Sequence, residues 1–195
     1  VTVDVGGRSA SADWSVIAVL RADGDRPEVV AQWRGHTDHD LLTWKAAQIA
    51  TYYNRALLVF ESNTLESERC GDAPEQGAYI LHELYDAYRE LYWRTPIDGG
   101  RPKPGFHTNR ATKQMIVTEL IGAVRDGTYV ERDIMAADEL AVYEQLPNGS
   151  YGARSGCHDD ILMTRAIGLH VVRETAHLRV TLAGDADLRR FLRGR

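Results

Sequence analysis

The chain has 195 residues, 44% hydrophobic and 26% charged, the make-up of an ordinary globular protein with room for a buried core. No run approaches the ~20 apolar residues of a membrane span, and no basic flank with an apolar leader opens the sequence, so a cytosolic protein is expected. A formal net charge of −5 gives no general attraction to nucleic acid, so any such binding needs a local patch. Cys70 and Cys157 lack CxxC spacing, which argues for free thiols and against a zinc knuckle.

The chain starts at Val1 without an initiator methionine, as an excised or processed piece would. Val1 to Val5 alternates valines with Thr2 and Asp4, the period of a strand with two distinct faces. Gly6-Gly7 and Ser9 to Ala12 form a turn, Trp14 to Leu20 a returning strand, Asp23-Gly24-Asp25 with Pro27 a second turn, and Glu28 to Arg34 a third strand. The opening is therefore an antiparallel meander. Asp38 is a plausible helix cap, followed by Leu41, Leu42, Ala46, Ile49 and Tyr53 at helical spacing. Leu57 to Phe60 is the continuous apolar run of a central strand, parallel to the first. A meander, a helix and a further strand predict an α/β fold with a mixed sheet.

Pro74 to Leu91 reads as a helix and Tyr92-Trp93-Arg94 as a strand. Asp98 to Gly105, with Pro102, Pro104 and three glycines, reads as a loop. Thr112 to Arg125 is a helix with Ile116, Leu120 and Val124 on one side, and Asp126-Gly127 ends it. Tyr129-Val130 is a short strand and Ala136 to Tyr143 a short helix. Asn148-Gly149, between candidate strands, signals a hairpin. Asp159 or Asp160 opens a last core helix with Leu162, Ala166, Leu169 and Val172 as its buried stripe. A short extension, residues 176–195, follows a core of about residues 1–175 and ends on Arg189, Arg190, Arg193 and Arg195.

The chemistry lies in the acids. Asp4 and Glu61 each interrupt or end a strand-like run, and Asp159-Asp160 stand before Ile161-Leu162-Met163. Taken singly, Asp4 could face solvent from an edge strand, Glu61 could end its strand on a loop, and either aspartate could cap the helix. Two adjacent acids raise each other's pKa unless a cation offsets them. Together the stations suit magnesium or manganese, which take oxygen ligands. Two such ions about 4 Å apart can activate a water and stabilise a leaving oxygen at a phosphodiester, with no side-chain nucleophile. No GxSxG, HExxH or GxxxxGK[ST] is present. Arg101, Lys103, Arg110 and Lys113 form either a nucleic-acid patch or a solvated face.

These residues resemble a known family. Val3-Asp4-Val5-Gly6-Gly7 with Asp13-Trp14-Ser15-Val16, then Val59-Phe60-Glu61-Ser62-Asn63, then Gly105-Phe106-His107-Thr108-Asn109 with Thr112-Lys113, and finally Gly156-Cys157-His158-Asp159-Asp160 follow in the order of the large-terminase nuclease domain of tailed bacteriophages. That domain is a member of the RNase H-like, RuvC-like superfamily, and the match spans about Val1 to Leu169. The resemblance implies a single RNase H-like domain with a five-stranded mixed sheet, helices on both sides and a hairpin over the active site that restricts DNA entry. It implies a metal-dependent endonuclease for double-stranded DNA, with Asp4, Glu61 and Asp160 as catalytic metal ligands and Asp159 as a fourth ligand or close neighbour. Asp13 and His158 would stand beside the site.

The implied partners are DNA, the terminase ATPase domain, which this chain lacks, the small terminase subunit and the portal, in the cytoplasm of an infected host. Two rival readings share the fold: a RuvC-like Holliday-junction resolvase, and a catalytically silent RNase H-like module that only binds nucleic acid or protein.

Overall fold

The computed structural model describes residues 1–7, 13–67, 79–96, 99–146 and 149–193, the stretch from 177 onward as backbone. The meander forms β1 (Thr2–Asp4), β2 (Ser15–Arg21) and β3 (Glu28–Gly35), all antiparallel. α1 (His39–Tyr52) leads to β4 (Val59–Phe60), which pairs parallel with β1 and completes the order β3-β2-β1-β4. β1 and β4 are buried throughout, as inner strands covered on both faces are.

The fifth lane of the expected sheet is split rather than continuous. Leu58 donates to the Glu90 carbonyl and accepts from Tyr92 N–H, while Phe106 N–H donates to the Phe60 carbonyl, so two separate segments share the edge of β4. Between them, β5 (Trp93–Arg94) and β6 (Lys103–Pro104) form a two-stranded ribbon. The prolines at 102 and 104 lack the N–H that a continuous inner lane needs. Gly105, with φ +82°, makes the return, and a Cβ there would stand 2.9 Å from the Phe60 carbonyl.

Period two assigns the faces of β1. Val1, Val3 and Val5 pack with Leu42, Ala46 and Ala50 of α1 and with Leu81 and Leu84 of α3 (Tyr79–Ala87). Thr2 and Asp4 face the other layer, made by α4 (Arg110–Arg125) and α6 (Asp160–Arg193). That layer buries Ile116, Val117, Leu120 and Ala123 of α4 against Leu162, Ala166 and Leu169 of α6.

Several stripes are rotated from those expected. Val124 and Leu41 are exposed and Val172 is half-buried, while Ala123, Leu42 and Val171 take the inward places. The expected helix from Pro74 is described only from Tyr79, and it ends at Ala87 because Tyr88 to Tyr92 is drawn into pairing with Leu58. Asn63–Ser67 is an additional short helix, α2. Val130 forms a single bridge to the edge of β3 rather than a strand. α5 (Ile134–Ala141) is capped by Asp133, whose side chain accepts from Met135 N–H.

β7 (Tyr143–Gln145) and β8 (Tyr151–Ala153) form the expected hairpin; Pro147 and Asn148 lie outside the described residues. The expected extension after Thr175 is a continuation of α6 to Arg193, so the chain has one long final helix there.

The first ten residues of α6 are buried on every side, because the helix is covered by the sheet, α4 and α5. Two features permit this. Arg165, 1% exposed, is held by Glu131 at 3.0 Å and Asp133 at 3.6 Å, which balances its charge in the core. Gly168 lets the helix approach the sheet: a Cβ there would lie 2.7 Å from Thr2 Oγ1 and 2.9 Å from Leu20 Cδ1. Gly168→Ala is therefore expected to destabilise the protein by roughly 1–3 kcal/mol, measured by urea denaturation, despite alanine's higher helix propensity. A more stable variant would refute this packing.

Candidate metal centre

β1 and β4 run parallel, so their C-terminal ends lie side by side, the place where open α/β sheets put their sites. Asp4 is the last residue of β1 and faces the α6 layer. Glu61 follows β4, and its N–H donates to the Val3 carbonyl at 2.8 Å, which continues the ladder and sets its side chain beside Asp4. Asp160 begins α6 and meets them from the helical layer. The Glu61 turn is clamped from behind: Ser62 N–H donates to the Phe106 carbonyl, and the Asn63 side chain exchanges hydrogen bonds with the Thr108 backbone. The Gly105-to-Asn109 segment singled out in the sequence thus serves as a brace for Glu61. Asn109 then caps α4, accepting from Ala111 and Thr112 N–H.

Asp4, Glu61 and Asp160 line one open cleft of about 550 Å³ with Asp13, His39, Thr64 and the Val5-Gly6-Gly7 backbone. Burial, then the charge and hydrogen bond of Glu61, then the charges of Asp160 and Asp159 hold the Asp4 carboxyl well above its usual range. Burial also raises Asp160; Trp14 N–H, which donates to its Oδ2 at 3.1 Å, opposes that rise.

Asp13 and His158 reach the same place from separate loops. His158 Nδ1 lies 3.5 Å from Asp13 Oδ1 and 3.8 Å from Asp160 Oδ2. One ligand atom from each of Asp13, His158 and Asp160 falls within 4.8 Å of the others. Gly6 makes the approach of Asp13 possible, since a Cβ at that position would stand 2.3 Å from the Asp13 carbonyl. Gly7 N–H donates to that carbonyl at 2.9 Å.

Asp159 points elsewhere than its neighbour. Its Oδ2 accepts from Lys113 Nζ at 2.9 Å, with both side chains half-buried. Burial works against the Lys113 charge, yet the hydrogen bond and charge of Asp159 hold its pKa above the usual value. The other basic candidates, Arg101, Lys103 and Arg110, are exposed on the loop, on β6 and at the start of α4.

Sequence reasoning missed two groups. His39 is buried at the start of α1 with Nε2 3.0 Å from the Gly6 carbonyl, so it supports the backbone that follows β1 at the cleft. Glu139 of α5 is buried and accepts from Leu162 N–H at 2.9 Å, satisfying a first-turn donor of α6. Neither has a sequence signal, because each acts through a tertiary contact.

Burial raises Glu139 from the usual 4.5 to about 7. The folded state therefore holds a proton that the unfolded chain releases near 4.5, so this group favours folding below pH 4.5 and that contribution is lost as pH rises through about 7. Asp4 and Asp160 carry the same sign. In EDTA, the thermal midpoint is expected to fall across that window, and Glu139→Gln is expected to flatten the fall. Superimposable profiles for the two proteins would show that Glu139 is not responsible.

No protein-family model matches the sequence, and no curated protein matches it. Solved structures do match. The large terminase nuclease of thermophilic phage G20c, solved with bound magnesium, aligns with a TM-score of 0.61 at 21% identity over 86% of this chain and 78% of that one. The nuclease domain of the P22 large terminase aligns at 0.54 and 16% identity, covering 88% and 84%. The human cytomegalovirus terminase nuclease domain aligns at 0.58 and 10% identity, covering 87% and 81%. The chain thus has the fold of the solved large-terminase nuclease domains, a mixed sheet flanked by helices of the RNase H-like type.

Proposed function

We propose that the chain is a divalent-metal-dependent endonuclease that hydrolyses double-stranded DNA with little sequence preference, as the nuclease part of a viral DNA-packaging terminase. The observation that carries this reading is the convergence of Asp4, Glu61 and Asp160 on one cleft. The fold supports it, since its neighbours are terminase nucleases, one with bound magnesium and one soaked with manganese.

The donor set suits a hard cation. It consists of carboxylate oxygens; burial first, and then neighbouring acids, raise Asp4 and Asp160, and a cation would favour their charged forms. Two magnesium or manganese ions held by Asp4, Glu61 and Asp160 would supply water activation and countercharge for the leaving oxygen, with Asp159, the fourth acid expected from the sequence, standing next to them in its bond to Lys113.

The chain's own residues then orient these groups. Asp4 is fixed by the sheet, Glu61 by its brace, and Asp160 by Trp14 N–H. His158 and Asp13 flank the cleft mouth, where they would orient water or phosphate. Arg101, Lys103 and Arg110, all exposed, would offer backbone contacts to the duplex, together with Lys113, whose Nζ is bonded to Asp159. The proposed assembly partners are the terminase ATPase domain, the small subunit and the portal. The terminase neighbours and the hairpin just ahead of Asp159 favour this reading over a junction resolvase.

Asp4→Asn and Asp160→Asn are each expected to lower plasmid cleavage in manganese more than about 100-fold, beyond the loss typical of a group that only orients a ligand. Retained cleavage with an unchanged circular dichroism spectrum would sink the assignment. Shortening the β7–β8 hairpin to a two-residue turn is expected to change the rate of duplex cleavage; an unchanged rate would remove it as a gate.

A further inference from the structure

Adjacent aspartates at one helix start are treated differently by this fold. Asp160 is buried at the cleft, with its Oδ2 bonded to Trp14 N–H. Asp159 is absent from the cleft lining, and its Oδ2 is bonded to Lys113 Nζ at 2.9 Å. We propose that Lys113 is a positioning residue that holds Asp159 out of the metal-ligand set, so that Asp160 alone of the pair binds metal. This rests on the metal-dependent reading above and assigns a role within that site.

Three elements keep the lysine in place. α4 carries it in the first turn, where its N–H donates to the Asn109 carbonyl at 2.8 Å. α4 packs along α6, which fixes the distance from Lys113 to the start of α6. On the third side Tyr143 of β7 presents its ring, 5.9 Å from Nζ at the centroid. Tyr143 therefore places the first strand of the hairpin beside the ion pair.

Electrostatics give the pair a purpose. Asp4, Glu61 and Asp160 line one cleft and Asp159 adjoins Asp160 in the chain, so four carboxylates stand at one helix start and two strand ends with Lys113 as the cation bonded to one of them. A lysine bonded to Asp159 cancels one of these charges locally, and the remaining carboxylates then set how many ions bind and how tightly. Separating the pair would leave a half-buried carboxylate without its partner, which is unfavourable.

The test is calorimetric titration of Mn²⁺ into the wild-type chain, Lys113→Met, Lys113→Arg and the double variant Lys113→Met/Asp159→Asn, with thermal melts to establish folding. Lys113→Met frees a carboxylate and removes a cation, so its Mn²⁺ affinity is expected to rise about tenfold, or an extra ion to bind. Lys113→Arg keeps the charge and is expected to stay near wild type. The double variant lacks both charges and is expected to stay within about threefold of wild type, because a neutral pair has been replaced by a neutral pair. A double variant weakened more than about 30-fold would show that Asp159 is itself a ligand and overturn the proposal. Unchanged affinity and stoichiometry in Lys113→Met would overturn it equally. If wild type binds no Mn²⁺, the metal-dependent reading fails, and this inference falls with it.

Discussion

The parallel pairing of β4 with β1 is the contact on which the cleft depends. Val59 N–H on the Val1 carbonyl and Glu61 N–H on the Val3 carbonyl bring together segments 56 or more residues apart in sequence. Without that register, Asp4 and Glu61 are unrelated strand-end acids. A one-residue slip would also turn Asp4 toward the α1 and α3 layer, where the valines now pack. Hydrophobic burial of Val1, Val3 and Phe60 therefore sets which way the acid points.

The third acid depends on a helix that reaches the sheet more closely than most side chains allow. Gly168 permits the approach, Arg165 with Glu131 and Asp133 ties the same helix to the loop before α5, and Glu139 satisfies Leu162 N–H at its start. These contacts, at residues 162, 165 and 168, tie α6 to α5, to the loop before it and to the sheet, and so hold Asp160 in place. The buried Arg165 is balanced by Glu131 and Asp133, and the buried Glu28 by Arg21 and Arg132. Asp4 is raised by burial and then by neighbouring acids, an environment that a cation in the cleft would offset.

The surroundings of the cleft are less regular than the sheet, and each irregularity has a use. The split fifth lane places Phe106 and Thr108 where they brace the Glu61 turn. Gly7 N–H holds the Asp13 carbonyl, His39 meets the Gly6 carbonyl, and Asp13 faces His158. The hairpin ends in strands whose Tyr143 and Tyr151 rings stack 6.5 Å apart, and Tyr143 also faces Lys113. A rigid scaffold thus meets the cleft through loops, the usual division of labour in α/β proteins.

Much was legible before any fold was known. Alternation in Val1 to Val5, the apolar run ending at Phe60 and the paired aspartates before Ile161 identify strands, a core helix and candidate acids, because local burial patterns and cap chemistry are written in neighbouring residues. Where a helix turns its face was less legible: Val124 and Leu41 fit the helical period yet lie outside, since several rotations satisfy one stripe and only the packing partner selects among them. Tertiary structure alone decided that Asp159 and Asp160 part company, that Lys113 belongs with the first, and that Glu139 and His39 support the site. Such assignments rest on contacts between residues distant in the chain, and their energy is electrostatic and geometric, so sequence spacing carries no record of them.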